Sequence, residues 1–192
     1  MAVHAGRQEI GKDRGSIVLR TFRDGLAAQA GHDLTIEVGR WSGVLTLNDD
    51  LSPASLDVQA DLNSLVVREG GGGLKPLTDR DRREIAVTAR KTLAVDRHPE
   101  ATFSATDFKP DADGGGLITG TLTLAGEARP LQLQVSKAGP DRYHATGSVV
   151  QSRHGIKPYS GFFGALKVRD AVDVDVDVDL SEPADGTGPA AT

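Results

Sequence analysis

The chain has 192 residues, a formal net charge of −5 and no cysteine. That length suits one domain with a substantial core. The acidic balance argues against a nucleic-acid or anionic-membrane footprint, which needs clustered Lys and Arg. Without cysteine, disulfides, thiolate metal sites and cysteine nucleophiles are excluded. The N-terminal run MAVHAGRQEIGKDRG lacks the apolar core of a signal peptide, and no window approaches the roughly 20 apolar residues of a membrane span. A soluble, cytoplasmic protein is the expectation.

In chain order, residues 1–14 are polar and read as an irregular lead-in. The β-branched run 16–22 predicts a first strand, 24–30 a short helical turn, and 34–38, where Leu34, Ile36 and Val38 alternate with Thr35 and Glu37, a second strand. A third is expected at 44–47, before the turn chemistry of Asn48, Asp49 and Asp50. Over 55–65, Leu56, Val58, Ala60 and Leu62 alternate with Asp57, Gln59, Asp61 and Asn63, the pattern of a strand with one wet face. Gly70 to Gly73 read as a loop. They lack the Gly-Lys-Ser/Thr ending of a phosphate loop. Thr78 with Asp81 three residues later predicts a helix start, and Ile85, Ala86, Ala89 and Leu93 give the apolar stripe of a helix over 78–93. His98 before Pro99 ends it.

Further strands are predicted at 101–105, 117–124, 131–135, 142–151 and 171–180, with a turn at 111–116 and a hairpin link at 125–130. The last strand is the clearest: Val172, Val174, Val176, Val178 and Leu180 alternate strictly with Asp173, Asp175, Asp177 and Asp179. Residues 181–192, rich in Pro, Gly and Ala, read as a disordered tail. About eight strands joined mostly by turns, with one short helix, indicate an all-β antiparallel fold. Alternation alone does not separate a sandwich from a barrel.

Several segments resemble the YceI-like family of polyisoprenoid-binding, lipocalin-like barrels. These are Gly31-His32-Asp33-Leu34, the helix with Asp79-Arg80-Asp81, the strand start His98-Pro99 with Phe103-Ser104, and the hairpin Gly120-Thr121-Leu122-Thr123-Leu124-Ala125-Gly126-Glu127-Ala128-Arg129-Pro130. The hairpin is the most specific, and the Gly155-Ile156-Lys157 element and the Val-rich last strand also fit. The resemblance implies an antiparallel lipocalin-like eight-stranded barrel over 15–180. It also implies that the interior binds or carries a long apolar isoprenoid-like lipid, polyprenyl or quinone-type, without catalysis and without a cofactor. It leaves a homodimer open.

If the apolar phase of the strands lines such an interior, the wall comprises Leu34, Ile36, Leu56, Val58, Leu62 and Phe103, continued by Leu122, Leu124, Leu133, Val174 and Val176. Ile156, Tyr159, Phe162 and Phe163, in a glycine-broken loop, are candidates to gate or plug one end. His32 and His154 are candidate contacts for a ligand head group. The rival reading is a hydrolase or metal-dependent enzyme built on His32 or His154, pairing one with Ser42, Ser152 or Ser160. No Gly-x-Ser-x-Gly elbow and no His-x-His or His-x-x-x-His spacing supports it, so no metal ligand is assigned. The aspartate ladder reads as a solvent face that keeps a sheet edge from pairing with other chains.

Overall fold

The computed structural model describes residues 4–181. Its strands are β1 (Gly6–Gly11), β2 (Gly15–Thr21), β3 (Arg23–Asp24), β4 (Asp33–Val38), β5 (Trp41–Leu47), β6 (Pro53–Asp61) and β7 (Leu65–Gly71). Helix α1 (Asp79–Thr92) follows, then β8 (Glu100–Pro110), β9 (Gly116–Leu124), β10 (Glu127–Lys137), β11 (Arg142–Val150), β12 (Ser160–Gly161), β13 (Leu166–Val168) and β14 (Ala171–Asp179). Eleven strands join one antiparallel sheet in the order β1-β5-β6-β8-β9-β10-β11-β14-β2-β4-β7, and β12-β13-β3 form a small second sheet. The all-β, antiparallel, lipocalin-like expectation holds with one helix, but the large sheet has eleven strands rather than eight.

Two of the additional strands correct the sequence reading. Residues 6–11 are not part of an irregular lead-in: β1 pairs with β5 from Gly6 opposite Leu47 to Gly11 opposite Ser42. Residues 65–71, partly read as a glycine loop, form β7, with Gly70 and Gly71 paired to Leu34 and Asp33 of β4. Of the expected tail, everything after Ser181 lies outside the described residues.

The sheet curls because two chain corners lock together. The β4–β5 corner and the β6–β7 corner exchange Gly39 N–H to Ser64 O (3.0 Å) and Asp61 N–H to Arg40 O (3.0 Å). The buried Ser64 hydroxyl accepts from Arg40 N–H at 2.8 Å and donates to Asp61 O at 2.6 Å. Elsewhere the strands approach closely: a Cβ on Gly15 of β2 would overlap the carbonyl oxygen of Asp177 in β14 and press on the Trp41 ring. The β9–β10 hairpin turns through Ala125 (φ 51°) and Gly126 (φ 82°), the paired positive φ angles of a two-residue turn matched to sheet twist. The link is thus shorter than the 125–130 read from sequence. Pro130 falls inside β10, in the portion that pairs with β9 and not with β11, where its missing N–H leaves no gap in a second ladder.

Helix α1 begins with the capping box expected from Thr78 and Asp81, each side chain bonded to the other's backbone N–H. It packs on β7, placing Ala86 with Leu65, Val67, Val38 and Trp41 in one apolar cluster. A second cluster joins Leu62, Val95, Leu124, Val149 and Ile156, and a third Phe103, Ala105 and Leu133.

The valines of β14 stand opposite Tyr143, Ala145, Gly147 and Val149 of β11, so both strands present their apolar phase to the same side. The aspartates occupy the outer face, but β14 lies between β11 and β2, so the ladder guards no sheet edge. It meets two arginines and an imidazole from the neighbouring strands instead: Arg20 Nε lies 2.6 Å from Asp175, Arg142 Nε 3.0 Å from Asp179, and His144 Nδ1 2.9 Å from Asp177. Ser181 donates from its hydroxyl and backbone N–H to Asp179, and together with Arg142 this holds the Asp179 carboxyl down at a pKa of about 2.

Candidate ligand cavity

The apolar phases of the strands face a cavity of about 1550 Å³. This exceeds the roughly 300–1,000 Å³ of ordinary small-molecule sites. Its wall draws on all eleven strands of the large sheet and on the Ile85, Thr88, Ala89 and Thr92 side of α1. It extends from the turns around Ser52, Gly115 and Asp141 to the segments around His32, Lys75 and Tyr159, so lining residues reach both ends of the curled sheet. No described side chain is less than 2% exposed, and inward residues such as Leu34, Leu56, Val58, Leu122 and Val176 keep intermediate exposure because they border open volume rather than packed atoms.

Thirteen of the residues singled out in the sequence line this cavity: Leu34, Ile36, Leu56, Val58, Leu62, Phe103, Leu122, Leu124, Leu133, Val174 and Val176 on its wall, with His32 and Tyr159 at one mouth. Four do not. Ile156 is buried in the second apolar cluster. Phe162 and Phe163 are 68% and 113% exposed and neither line nor plug the cavity. Their backbones adopt positive φ angles of 48° and 55°, an arrangement that costs bulky residues about 1–3 kcal/mol. His154 is buried away from the wall, its Nδ1–H donating to Glu127 O at 3.0 Å, so it fastens the 151–154 turn to the start of β10.

Several lining residues escaped the sequence reading. Ile10 lies in the segment that reads as a lead-in, and Trp41 lies ahead of the strand expected at 44–47. Ile17 and Leu19 carry the same two-residue alternation as Leu34 and Ile36, and Tyr143 stands in phase with Ala145, so periodicity could have found these three.

Two of the wall's polar side chains are committed to backbone carbonyls. His32 Nε2 faces Lys75 O at 2.7 Å; since a carbonyl only accepts, the ring is protonated at Nε2. The buried Gln151 donates to Arg169 O at 2.9 Å. Thr21 Oγ1 and Trp41 Nε1 are buried without a protein partner. Neither His32 nor His154 bonds a serine hydroxyl, and the Ser152 hydroxyl donates to Asp170. Among the described residues no three His, Asp or Glu side chains converge as a metal site requires.

The model of the YceI-like domain family matches residues 20–180. The chain belongs to the YceI-like family. Within the curated relatives, this YceI-like protein is 37% identical over 62 residues to a UPF0312 protein of Pectobacterium atrosepticum and 36% over 62 residues to another from Pectobacterium carotovorum. Each match spans 32% of this chain and 32% of the relative. Among solved structures it resembles BcnA of Burkholderia cenocepacia, with a TM-score of 0.59 and 15% identity over 85% of this chain and 94% of that one. A polyisoprenoid binding domain from Saccharophagus degradans gives 0.55 and 13% over 91% and 97%. The Campylobacter jejuni YceI protein gives 0.56 and 18% over 78% and 85%. At these identities the likeness speaks for the fold. No helix among the described residues is long and apolar enough to cross a membrane.

Proposed function

We propose that this YceI-like protein binds or carries one long, apolar, isoprenoid-like lipid, of polyprenyl or quinone type, inside the curled sheet and does no chemistry on it. The observation that carries this reading is the largely apolar cavity of about 1550 Å³ reaching from end to end of the sheet. A compact ligand would leave most of the wall wetted, whereas an extended chain contacts it throughout, gaining about 25 cal/mol per Å² of apolar surface removed from water. The relative from Saccharophagus degradans, described as polyisoprenoid-binding, supports the same ligand class. The non-catalytic part rests on the committed hydrogen bonds of His32 and His154, which leave neither ring activating a serine.

Native mass spectrometry of protein purified from its own host, followed by organic extraction, tests the proposal. The expected result is a stoichiometric adduct whose extracted lipid has a polyprenyl chain. A bare polypeptide mass that stays bare after incubation with polyprenyl lipids would overturn it.

A further inference from the structure

Eight large apolar or aromatic side chains are exposed among the described residues, and five of them, Leu26, Leu74, Tyr159, Phe162 and Phe163, gather around the cavity mouth at His32. Isolated exposed apolar residues need no explanation; a concentration at one end of a ligand cavity does. The loop of Leu26 lies directly against the loop of the two phenylalanines, since Ala27 N–H donates to Ala165 O at 2.8 Å. Both loops cap the small sheet β12-β13-β3, whose Arg23, Leu166 and Val168 form one side of the mouth. Leu74 and Tyr159 border the same opening. Leu26 and Phe163 are fully exposed, and left-handed backbone holds both phenylalanines outward.

We infer that this rim is a bilayer-docking surface: Leu26, Phe162 and Phe163 insert between lipid head groups, and an apolar chain passes from the bilayer through the mouth beside His32 into the cavity. The inference rests on the reading of the cavity as a lipid site. Two features favour a bilayer as the occupant. The apolar tips are continuous with a mouth that opens into lipid-sized apolar volume, so a docked chain crosses no water. The rim also carries exposed Lys75 and Lys167, neither paired with a carboxylate among the described residues, and Arg23, beside the carboxylates of Asp24 and Asp81. The overall charge of −5 opposes an anionic surface at long range. Beyond a Debye length of about 10 Å that charge is screened, so the groups of the rim itself, its apolar tips and its basic side chains, set the interaction.

The test compares wild type with a Leu26→Ser, Phe162→Ser, Phe163→Ser variant in co-sedimentation with vesicles of phosphatidylcholine alone or mixed equally with phosphatidylglycerol. All three side chains are exposed and none lines the cavity, so the variant is expected to fold, which its circular dichroism spectrum checks. Wild type is expected to sediment with the mixed vesicles, and the variant to partition at least about tenfold less, the worth of burying one such side chain. A Lys75→Gln, Lys167→Gln variant is expected to lose preference for the mixed vesicles by roughly fivefold per lysine. Polyprenyl lipid delivered from ethanol should load the serine variant as fast as wild type, whereas loading from vesicles should slow. Wild type that ignores both vesicles, a serine variant that sediments equally well, or tips that instead drive self-association in sedimentation velocity would each overturn the docking surface. Lipid loading from ethanol without vesicle binding would overturn docking and leave the carrier reading intact. Tip-dependent vesicle binding without any loading would support docking and sink the carrier.

Discussion

A cavity that holds an extended chain must measure it. At about 30 Å³ per water-sized group, 1550 Å³ accommodates roughly 50 such groups, or about ten five-carbon isoprene units. Large ligands gain about 0.3 kcal/mol per heavy atom, so each unit contributes about 1.5 kcal/mol, roughly tenfold in Kd. Ten units then give about 15 kcal/mol, inside the ceiling of about 18–21 kcal/mol for non-covalent binding. Affinity for a series of prenyl alcohols should therefore rise about tenfold per unit and level off near ten units. Replacing Ala145, which faces the cavity from β11 opposite Val176, by Trp adds about nine heavy atoms to the wall and should bring the plateau forward by roughly two units. Displacement of a fluorescent apolar probe by alcohols of increasing length reads both effects. A Kd that stops improving after two or three units would refute the extended-chain reasoning, as would a plateau unmoved by Ala145→Trp.

Three further outcomes follow from the fold. Thr78→Ala removes the cap of α1 and should lower stability by about 1 kcal/mol in urea unfolding; an unchanged midpoint would mean the Asp81 side chain alone holds the first turn. Gly15→Ala sets a methyl group against the Asp177 carbonyl, a backbone atom that cannot swing aside, and should cost about 1–3 kcal/mol in thermal unfolding. The Asp179 carboxyl is depressed from 3.8 to about 2, so it binds its proton more readily in the unfolded chain. Its stabilising contribution is complete above its ordinary value and is lost as pH falls from 3.8 towards 2. Asp179→Ala should flatten the acid limb of stability in that window; an identical limb in both proteins would refute the assignment.

How much of this was readable in advance depended on how many faces of an element the sequence had to satisfy. Strand β14 was plain because one face meets the cavity and the other meets Arg20, Arg142 and His144, so valine and aspartate alternate without exception. Helix α1 was equally plain, because Thr78 and Asp81 cap it through local bonds that need no tertiary context. Strand β1 was hidden: it is an edge, paired only with β5, and Ile10 is the one large apolar residue it contributes to the core. Strand β7 ends in glycines that sequence reasoning assigns to a loop, yet Gly70 receives the Leu77 side chain where a Cβ would stand. Strand β8 runs on to Pro110, well past its expected end, because a register shift between Ala105 and Asp107 breaks the alternation while the ladder continues. The candidate wall was legible wherever phase was. The failures came from 154–163, where 3-10 turns replace the two-residue rule and only the fold decides which way a ring points.

Phase also explains why alternation could not distinguish a hollow interior from a filled one. Both need apolar residues at every second position, and they differ in whether the inward volumes add up to the enclosed space. Here β11 offers only Ala145 and Gly147 between Tyr143 and Val149, and β14 answers with valines, so two adjacent strands bring little bulk inward. The larger buried side chains collect in three clusters: Trp41 with Ala86 of α1, Leu62 and Ile156 with Leu124 of the β9–β10 hairpin, and Phe103 with Leu133. Partly buried side chains shared between the clusters, Leu56 and Val58 between the first and third and Leu122 and Leu131 between the second and third, continue the wall along the sheet. An interior of that kind retains its shape without packing to the density of an ordinary core, because the eleven-strand ladder fixes each inward residue against its neighbours. The apolar surface thus left uncovered is what the proposed long lipid would remove from water.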